Sequence, residues 1–457
     1  MTAARSSSLV ALALGLSLGP TLASSARAAE PTPRAPCTLA ACVADALAHA
    51  PEIRAQAAAR DAAIAQHKQA RGNLGPRLIV DGGVQIWDDA LEVSFGGVPG
   101  LPIEIPPFVA REQVTWSLNL TIAQPLAGLW TIFEANELAA LGVDVAELDR
   151  EAAQRESALV TAEAWLQARL ARDLVVVSQA SVTARQSDRE RAGALVKAGV
   201  LVEADLARAD LGVMQARQAL SQAERRLALA HARLGQLVGR AVTPEGGAEG
   251  ADPTARPLPV ATLEAAKARA LERRLEVTQV RTRIQQASVA VGLARSKMAP
   301  EVNLVAQAQF TGGSEFQSES AAFVGLTLKW EAWSWGSTWY GIDEAEANLR
   351  RAREGLRQLE DGLGLEVEAA WVDHEAAVDQ ATLAAEAERV AGIHYELTQK
   401  RLAARAATTF DVVSAESELT QARQNVNVAR ASALMARARL ARAMGSTADE
   451  IASEATP

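Results

Sequence analysis

Placed over itself, the chain repeats. Ala46-Leu47, Glu52-Ile53, Ala70-Arg71 and Pro76 recur as Ala270-Leu271, Glu276-Val277, Ala294-Arg295 and Pro300, each pair 224 residues apart. Leu120-Thr121, Asp205, Gln215-Ala216-Arg217 and Gly239 recur as Leu326-Thr327, Asp411, Gln421-Ala422-Arg423 and Gly445, now 206 apart. A duplicated chain has to fold as two copies of one architecture that bury a shared core. The 18-residue change of offset places an insertion between Pro76 and Leu120, where the Gly/Pro-rich stretch from Gly96 to Pro107 lies. The first repeat therefore covers about 29–240 and the second about 261–446. A Gly/Pro-rich linker, 241–260, joins them, and 447–457 is left as a C-terminal tail.

The first 28 residues read as a signal peptide. Arg5 lies in a short polar start, Leu9 to Leu22 form an apolar core, and Ala26-Arg27-Ala28 fits a cleavage site of small residues. Removing Arg5 and Arg27 takes the formal charge from −9 to −11, and no segment forms a basic stripe, which argues against a nucleic-acid partner. After the signal no apolar run reaches the length of a membrane-spanning helix, so any membrane span of the exported chain is expected to be β. Leu39-Ala40-Ala41-Cys42 has the look of a lipid-attachment box, but it lies well past the apolar core and beyond Pro31, Pro33 and Pro36. Cys37 and Cys42 are the two cysteines, in an oxidising compartment; a local disulfide at the first helix start and two free thiols are both open readings.

Each repeat carries two segments of period 2. Leu78, Val80, Val84 and Ile86 alternate with Arg77, Asp81 and Gln85, and Val114, Trp116, Leu118, Leu120 and Ile122 with Thr115, Ser117, Asn119 and Thr121. In the second repeat Val302, Leu304, Ala306, Ala308 and Phe310 alternate with Asn303, Gln307 and Gln309, and Val324, Leu326, Leu328 and Trp330 with Gly325, Thr327 and Lys329. The predicted strands, about 77–88, 113–123, 301–311 and 322–331, have the length that crosses a bilayer when tilted. A small soluble sheet is the alternative, and tryptophan decides against it. Trp87, Trp116, Trp130, Trp330, Trp333, Trp335 and Trp339, seven of nine, lie in or just after these strands, as an interfacial aromatic girdle requires. Four strands cannot close a barrel, so subunits must pool them: two copies give eight and a filled interior, three give twelve and room for a passage.

Composition agrees with helices elsewhere. Hydrophobic residues make up 49% of the chain but aromatics only 4%, because alanine recurs, and alanine with Leu, Glu, Arg and Gln favours long, closely packed helices. No breaker interrupts Trp130 to Ala198, 69 residues or roughly 100 Å of helix. Leu141, Val145, Leu148, Leu159, Leu166, Leu170 and Val177 give it an interrupted coiled-coil seam. The segments from about Val43 to Gly75 and from Leu201 to Gly239 are shorter and together match that length. Each half is thus expected to set one long helix beside two stacked short ones, the proportions of a tube.

In this arrangement the pieces LAACVADALAHAPEIR, ARGNLGPRL and AGVLVEADLARAD of the first half, and ALERRLEV, ARSKMAPEVNL, LTLKWEAWSWGS and FDVVSAESELTQAR of the second, resemble the TolC-type outer-membrane efflux proteins from Leu39 to Gly445. The resemblance implies a mainly α fold with a membrane β-barrel portion. In it, four strands per chain join in a homotrimer with a twelve-stranded barrel in outer-membrane lipid, continued by a long periplasmic α-helical tunnel. It also implies a passive, non-enzymatic exit duct that docks to a periplasmic adaptor and an inner-membrane pump of the RND or ABC type, for efflux or type I secretion. Family members carry Gly six residues before Asp at both hairpin tips; Gly199 precedes Asp205 so, but Arg405 precedes Asp411. Ser414 replaces a second acidic residue often found at that tip, and Trp130 stands where a glycine often follows the second strand, although Gly336 fits in the other repeat.

The tips are the candidate functional site. Glycine at Gly199 permits the positive-φ reversal that ends a helix, leaving Val200 and Leu201 as an apolar spot suited to an adaptor hairpin. Asp205 and Asp411 of three chains would set six carboxylates around a periplasmic opening, with Arg405 as a cation to pair with one of them; helix-start acids on a solvated surface are the plainer reading. His49, His67, His231, His374 and His394 form no ligand pairs and are expected at solvated helix positions, with no metal and no cofactor. No phosphate loop or HExxH motif is present, so energy for transport would come from a partner. A periplasmic coiled-coil adaptor or scaffold without a pore is the competing class.

Overall fold

A computed structural model describes residues 34–94, 107–245, 257–315, 317–404 and 406–456. The signal peptide, most of the Gly96–Pro107 loop, most of the linker and Arg405 lie outside the described residues. In chain order the elements are β1 (Ala35–Cys37), α1 (Leu39–His49), α2 (Pro51–Gly72), β2 (Arg77–Ile86), β3 (Leu91–Val93), β4 (Phe108–Ala127), α3 (Leu129–Lys197) and α4 (Glu203–Val238). Then follow β5 (Val242–Pro244), α5 (Leu263–Arg273), α6 (Leu275–Ser296), β6 (Glu301–Ser314), β7 (Ser320–Lys329), α7 (Ser337–Ala403), α8 (Thr409–Ala443) and α9 (Ala448–Ala455).

The duplication is visible as helix–strand–strand–helix–helix, twice. Helix α3 has 69 residues and α7 has 67, each roughly 100 Å. The strands form one antiparallel sheet in the order β2-β4-β6-β7, with β3 extending the far end of β4. Below it the helices pack in the matching order α2-α3-α6-α7, and farther from the sheet as α4-α3-α8-α7. The two long helices thus run through both tiers while short helices stack end to end beside them.

Several boundaries differ from the sequence reading. The first helix is two: α1 stops at His49 because Pro51, at the first position of α2, has no N–H to continue the ladder. Strand β4 runs 20 residues rather than eleven, since residues from Phe108 to Arg111 pair with β3 and the top of β6 and Gln124 to Ala127 continue the pairing with the start of β6. The C-terminal tail is a capped helix: Thr447 and Glu450 form a capping box, and Ile451 and Ala455 of α9 are fully buried. Gly128, at φ +90°, starts α3 as Gly336, at φ +85°, starts α7. The glycine thought missing at Trp130 is therefore present two residues earlier.

The main core lies where the tiers meet. Cys42, Val43, Leu166, Leu234 and Ile451 are buried there, and the Trp165 indole donates to the Cys37 carbonyl at 3.0 Å. Strand β1 pairs in parallel with β5, so the entry to the first repeat is tied to its exit. Cys37 and Cys42 are disulfide-bonded and buried, which leaves Cys42 no thiol for a lipid.

Candidate functional site

The sheet has two chemically distinct faces, and the register builds both. On one face Leu78, Ile122, Ala306 and Val324 lie in a row, as do Val80, Leu120, Ala308 and Ala322. Val84, Leu78, Val324, Leu326 and Leu328 on this face are each about two-thirds exposed, an apolar area that water disfavours. The other face sets Asp81, Asn119, Gln309 and Ala321 in one row and Gln85 opposite Thr115. Asn119 donates to the Asp81 carboxylate at 3.1 Å. One face thus suits hydrocarbon and the other water.

The tryptophans divide accordingly. Trp116, on the apolar face, lies across Gly312 of the neighbouring strand, where any side chain would collide with the indole. Trp130, Trp330, Trp333, Trp335 and Trp339 crowd the helix-side end of the sheet, all more than half exposed. Trp335 holds a positive φ of 53°, and its ring meets Trp333 edge-on at 5.9 Å. Trp87 departs from the girdle expected of it. Its indole donates to Thr115 Oγ1 at 3.1 Å on the polar face, with the Arg111 guanidinium stacked 3.8 Å from the ring centre. A residue after the last apolar position of β2 falls on the opposite face by strand alternation.

The outer edges of the sheet, on β2 and β7, have no partner strand among the described residues. With β2, β4, β6 and β7 successively antiparallel, an even number, the two outer edges run in opposite directions, so a β7 edge laid against the β2 edge of a second copy would be antiparallel too.

At the first hairpin tip α3 ends at Lys197, Gly199 takes φ +72°, and Val200 and Val202 are exposed, with Leu201 half-buried. At the second, Thr408 Oγ1 accepts from Asp411 N while the Asp411 carboxylate accepts from Thr408 N at 2.7 Å and Thr408 Oγ1 at 2.8 Å. These bonds hold the Asp411 carboxyl below its usual range, the backbone N–H contributing most. Asp205 occupies the same third position of α4, but its N-cap is Val202, so it has only a long contact to Val202 N at 3.4 Å and Arg208 at 3.8 Å. Asp411 thus caps its helix through Oδ2, whereas Asp205 is held loosely. Exposed Phe410 adds an apolar side chain at this tip that the sequence reading passed over.

The sequence model of outer membrane efflux proteins matches residues 42–240 and 267–446, most of the chain and both repeats. The chain belongs to the outer membrane efflux protein family. Among solved structures it is similar to CusC (TM-score 0.76, 15% identity, 90% of this chain and 92% of that one). It is also similar to VceC of Vibrio cholerae (0.70, 17%, 90% and 96%) and to MtrE of Neisseria gonorrhoeae in its open state (0.71, 17%, 89% and 89%). Among proteins with curated functions none matches the chain. The fold is therefore that of the TolC-type channels, a helical tunnel joined to a barrel built from several chains.

Within this family fold, a buried charge cluster joins the two hairpins, and the sequence reading missed it. Arg185 of α3 and Glu416 of α8 pair at 2.6 Å, with side chains 11% and 4% exposed. Ser181 Oγ and Thr420 Oγ1 donate to Glu416 Oε1 at 3.1 and 2.8 Å. One turn on, the Asp188 side chain is 6% exposed, reaches Arg191 at 3.5 Å, and leaves Oδ2 without a hydrogen bond. Burial pushes its carboxyl above the usual range; Arg191 opposes this, nearby Glu416 adds to it, and Arg185 opposes it. Coiled-coil periodicity could not reveal these residues, because charges at seam positions read as surface. His231 and His374, expected to be solvated, are likewise buried, and the described residues contain no metal-ligand cluster.

Proposed function

We propose that three copies of this chain close a twelve-stranded barrel in the outer membrane and extend it as an α-helical tunnel into the periplasm. The assembly serves as the exit duct of a tripartite efflux or type I secretion system. The observation that carries this reading is the single sheet with one exposed apolar face and two unpaired edges. In lipid an open edge leaves backbone groups unsatisfied, so the edges must meet those of other copies. Eight strands from two copies would enclose a barrel filled by side chains; twelve leave a passage.

The helices support the same count of neighbours. Leu365, Val372, Leu383, Val390 and Leu397 form an exposed stripe on α7 at seven- and eleven-residue spacings, and Leu211, Met214 and Leu229 are exposed on α4. These are the two outer helices of the lower tier, and such spacings make coiled-coil seams for an adjoining copy. Gly199, Val200, Leu201, Asp205 and Phe410 at the tips offer an apolar, weakly acidic surface to a periplasmic adaptor hairpin. An inner-membrane pump of the RND or ABC type supplies the energy. Residues 1–28 direct export and are removed.

The test is to purify the mature protein from outer-membrane fractions, sequence its N-terminus, measure its mass in detergent and record it in planar bilayers. A trimer with stable ion conductance is expected, starting near Ala29. A detergent-independent monomer without conductance would instead favour the scaffold class.

A further inference from the structure

The duplication extends to strand register. Moving each β2 position by 224 residues and each β4 position by 206 turns the β2–β4 pairing into the β6–β7 pairing: Arg77 opposite Ala123 becomes Glu301 opposite Lys329, and Val84 opposite Trp116 becomes Ala308 opposite Ala322. The hairpins of the two repeats therefore correspond residue for residue. Inside the chain the last strand of one repeat meets the first strand of the next at β4 and β6, where Ala123 faces Val305, Leu120 faces Ala308, Leu118 faces Phe310 and Ser117 faces Thr311. A junction of β7 with β2 of a second copy again sets the last strand of one repeat against the first of the next. The stagger of tilted strands is carried along with it. Asp81 and Asn119 share a row with Gln309, whereas the repeat equivalent of Asp81 is Val305, so each repeat shifts the row by four residues.

We propose that β7 of one copy pairs with β2 of the next in the register of the β4–β6 junction, carried over by the same offsets. Lys329 then lies opposite Asp81 of the next copy, Leu326 opposite its Val84, Val324 opposite its Ile86 and Phe323 opposite its Trp87. The inference rests on the channel reading above and names how its copies join. Each pair is chemically matched. Val84, Ile86, Val324 and Leu326, all about two-thirds exposed or more in a single copy, meet on the apolar face. On the mostly polar face Phe323 and Trp87, both left open to solvent in one copy, cover each other as an aromatic pair. Asp81 accepts from Asn119 through Oδ1, so Oδ2 is open to the Lys329 ammonium, and opposite charges directly across a strand pair attract. A slip of two residues sets Lys329 against Ile79 or Gly83, and Phe323 against Gln85 or Asp89, which loses both pairs. Inside the chain the position equivalent to the ion pair holds Ala123 and Val305. Charge thus marks the junction between copies, and apolar contact the one within a copy.

The test is a cysteine register scan on the full chain in outer-membrane fractions, read as covalent oligomers on non-reducing gels after mild oxidation with copper–phenanthroline. Cys37 and Cys42 are bonded to each other and do not compete. Val84→Cys is combined in turn with Val324→Cys, Leu326→Cys and Leu328→Cys. The Leu326→Cys combination is expected to give covalent trimers. The other two, displaced to a diagonal of about 7–8 Å, should bridge at roughly a tenth of that rate or less. Ile86→Cys with Val324→Cys is a second pair in the same register, for use if the first assembles poorly. Asp81→Asn and Lys329→Gln should each lower the temperature at which trimers dissociate, and together no further than either alone, since both remove one contact. Faster bridging at Val324→Cys or Leu328→Cys with Val84→Cys would overturn the register, and additive losses from the two charge variants would overturn the ion pair. Trimers that form and conduct but bridge at neither matched pair would also overturn the proposal, leaving the channel reading intact. A parent that forms no trimer would remove both.

Discussion

Replacing Leu118 by arginine tests which face of the sheet meets lipid. Leu118 is the middle apolar residue of the run Val114 to Ile122, with Gly82 and Phe310 as its cross-strand partners. At about 3.4 Å per residue and a tilt of about 40°, that run rises roughly 20 Å, so Leu118 lies near the middle of an apolar band of about 25 Å. An arginine at that depth costs about 2–4 kcal/mol per chain, and a trimer carries three. Asn119 is the adjacent residue on the other face, 3.1 Å from Asp81. An arginine there would stay in water beside a carboxylate, at almost no cost. Trimer yield in outer-membrane fractions, and the denaturant needed to unfold reconstituted protein, should therefore fall for Leu118→Arg and hold for Asn119→Arg. Equal yields and equal unfolding midpoints would refute the assignment of faces.

Breaking the buried pair between the hairpins should cost more than deleting it. Glu416→Ala leaves the Arg185 guanidinium and two hydroxyls without their partner, a loss of about 3–5 kcal/mol, whereas the double change Arg185→Leu with Glu416→Leu should be near neutral; thermal unfolding in detergent separates the two. Asp188 has a raised pKa in the fold, so its ionisation opposes folding, and stability should increase as pH drops from neutral through that raised value. Asp188→Asn should flatten this part of the pH–stability curve, and an unchanged slope would count against Asp188 as its source. Gly128→Ala forces a side chain into a left-handed backbone at the strand-to-helix turn and should cost roughly 1–2 kcal/mol, read as a lower unfolding midpoint; Gly142→Ala, inside α3 with open space around it, should not.

Much of the channel body was legible in the chain itself. Offsets of 224 and 206 residues set two repeats and one insertion, and period-2 runs set the four strands and the apolar face of each. Uninterrupted helical sequence set the length of α3 to the residue, although its start was one place off. These features are local or periodic, so spacing alone encodes them. The tertiary structure decided what depends on residues far apart in sequence. Trp87 left the girdle because its indole found Thr115 and Arg111 on the polar face. Thr408 gives the candidate gate residue Asp411 a capping partner, while Val202 gives Asp205 no side-chain one. The Arg185–Glu416 pair and buried Asp188 emerged only where α3 meets α8, since the polarity of a side chain does not say which helix will cover it. The row that puts Ile79 and Phe323 at the two edges of the lumen face exists only through the register of three strand pairings. A one-residue slip between β4 and β6 would turn half that row to the other face, and a slip in either outer pairing one residue of it, so the pairing, and not the composition, decides what each face presents.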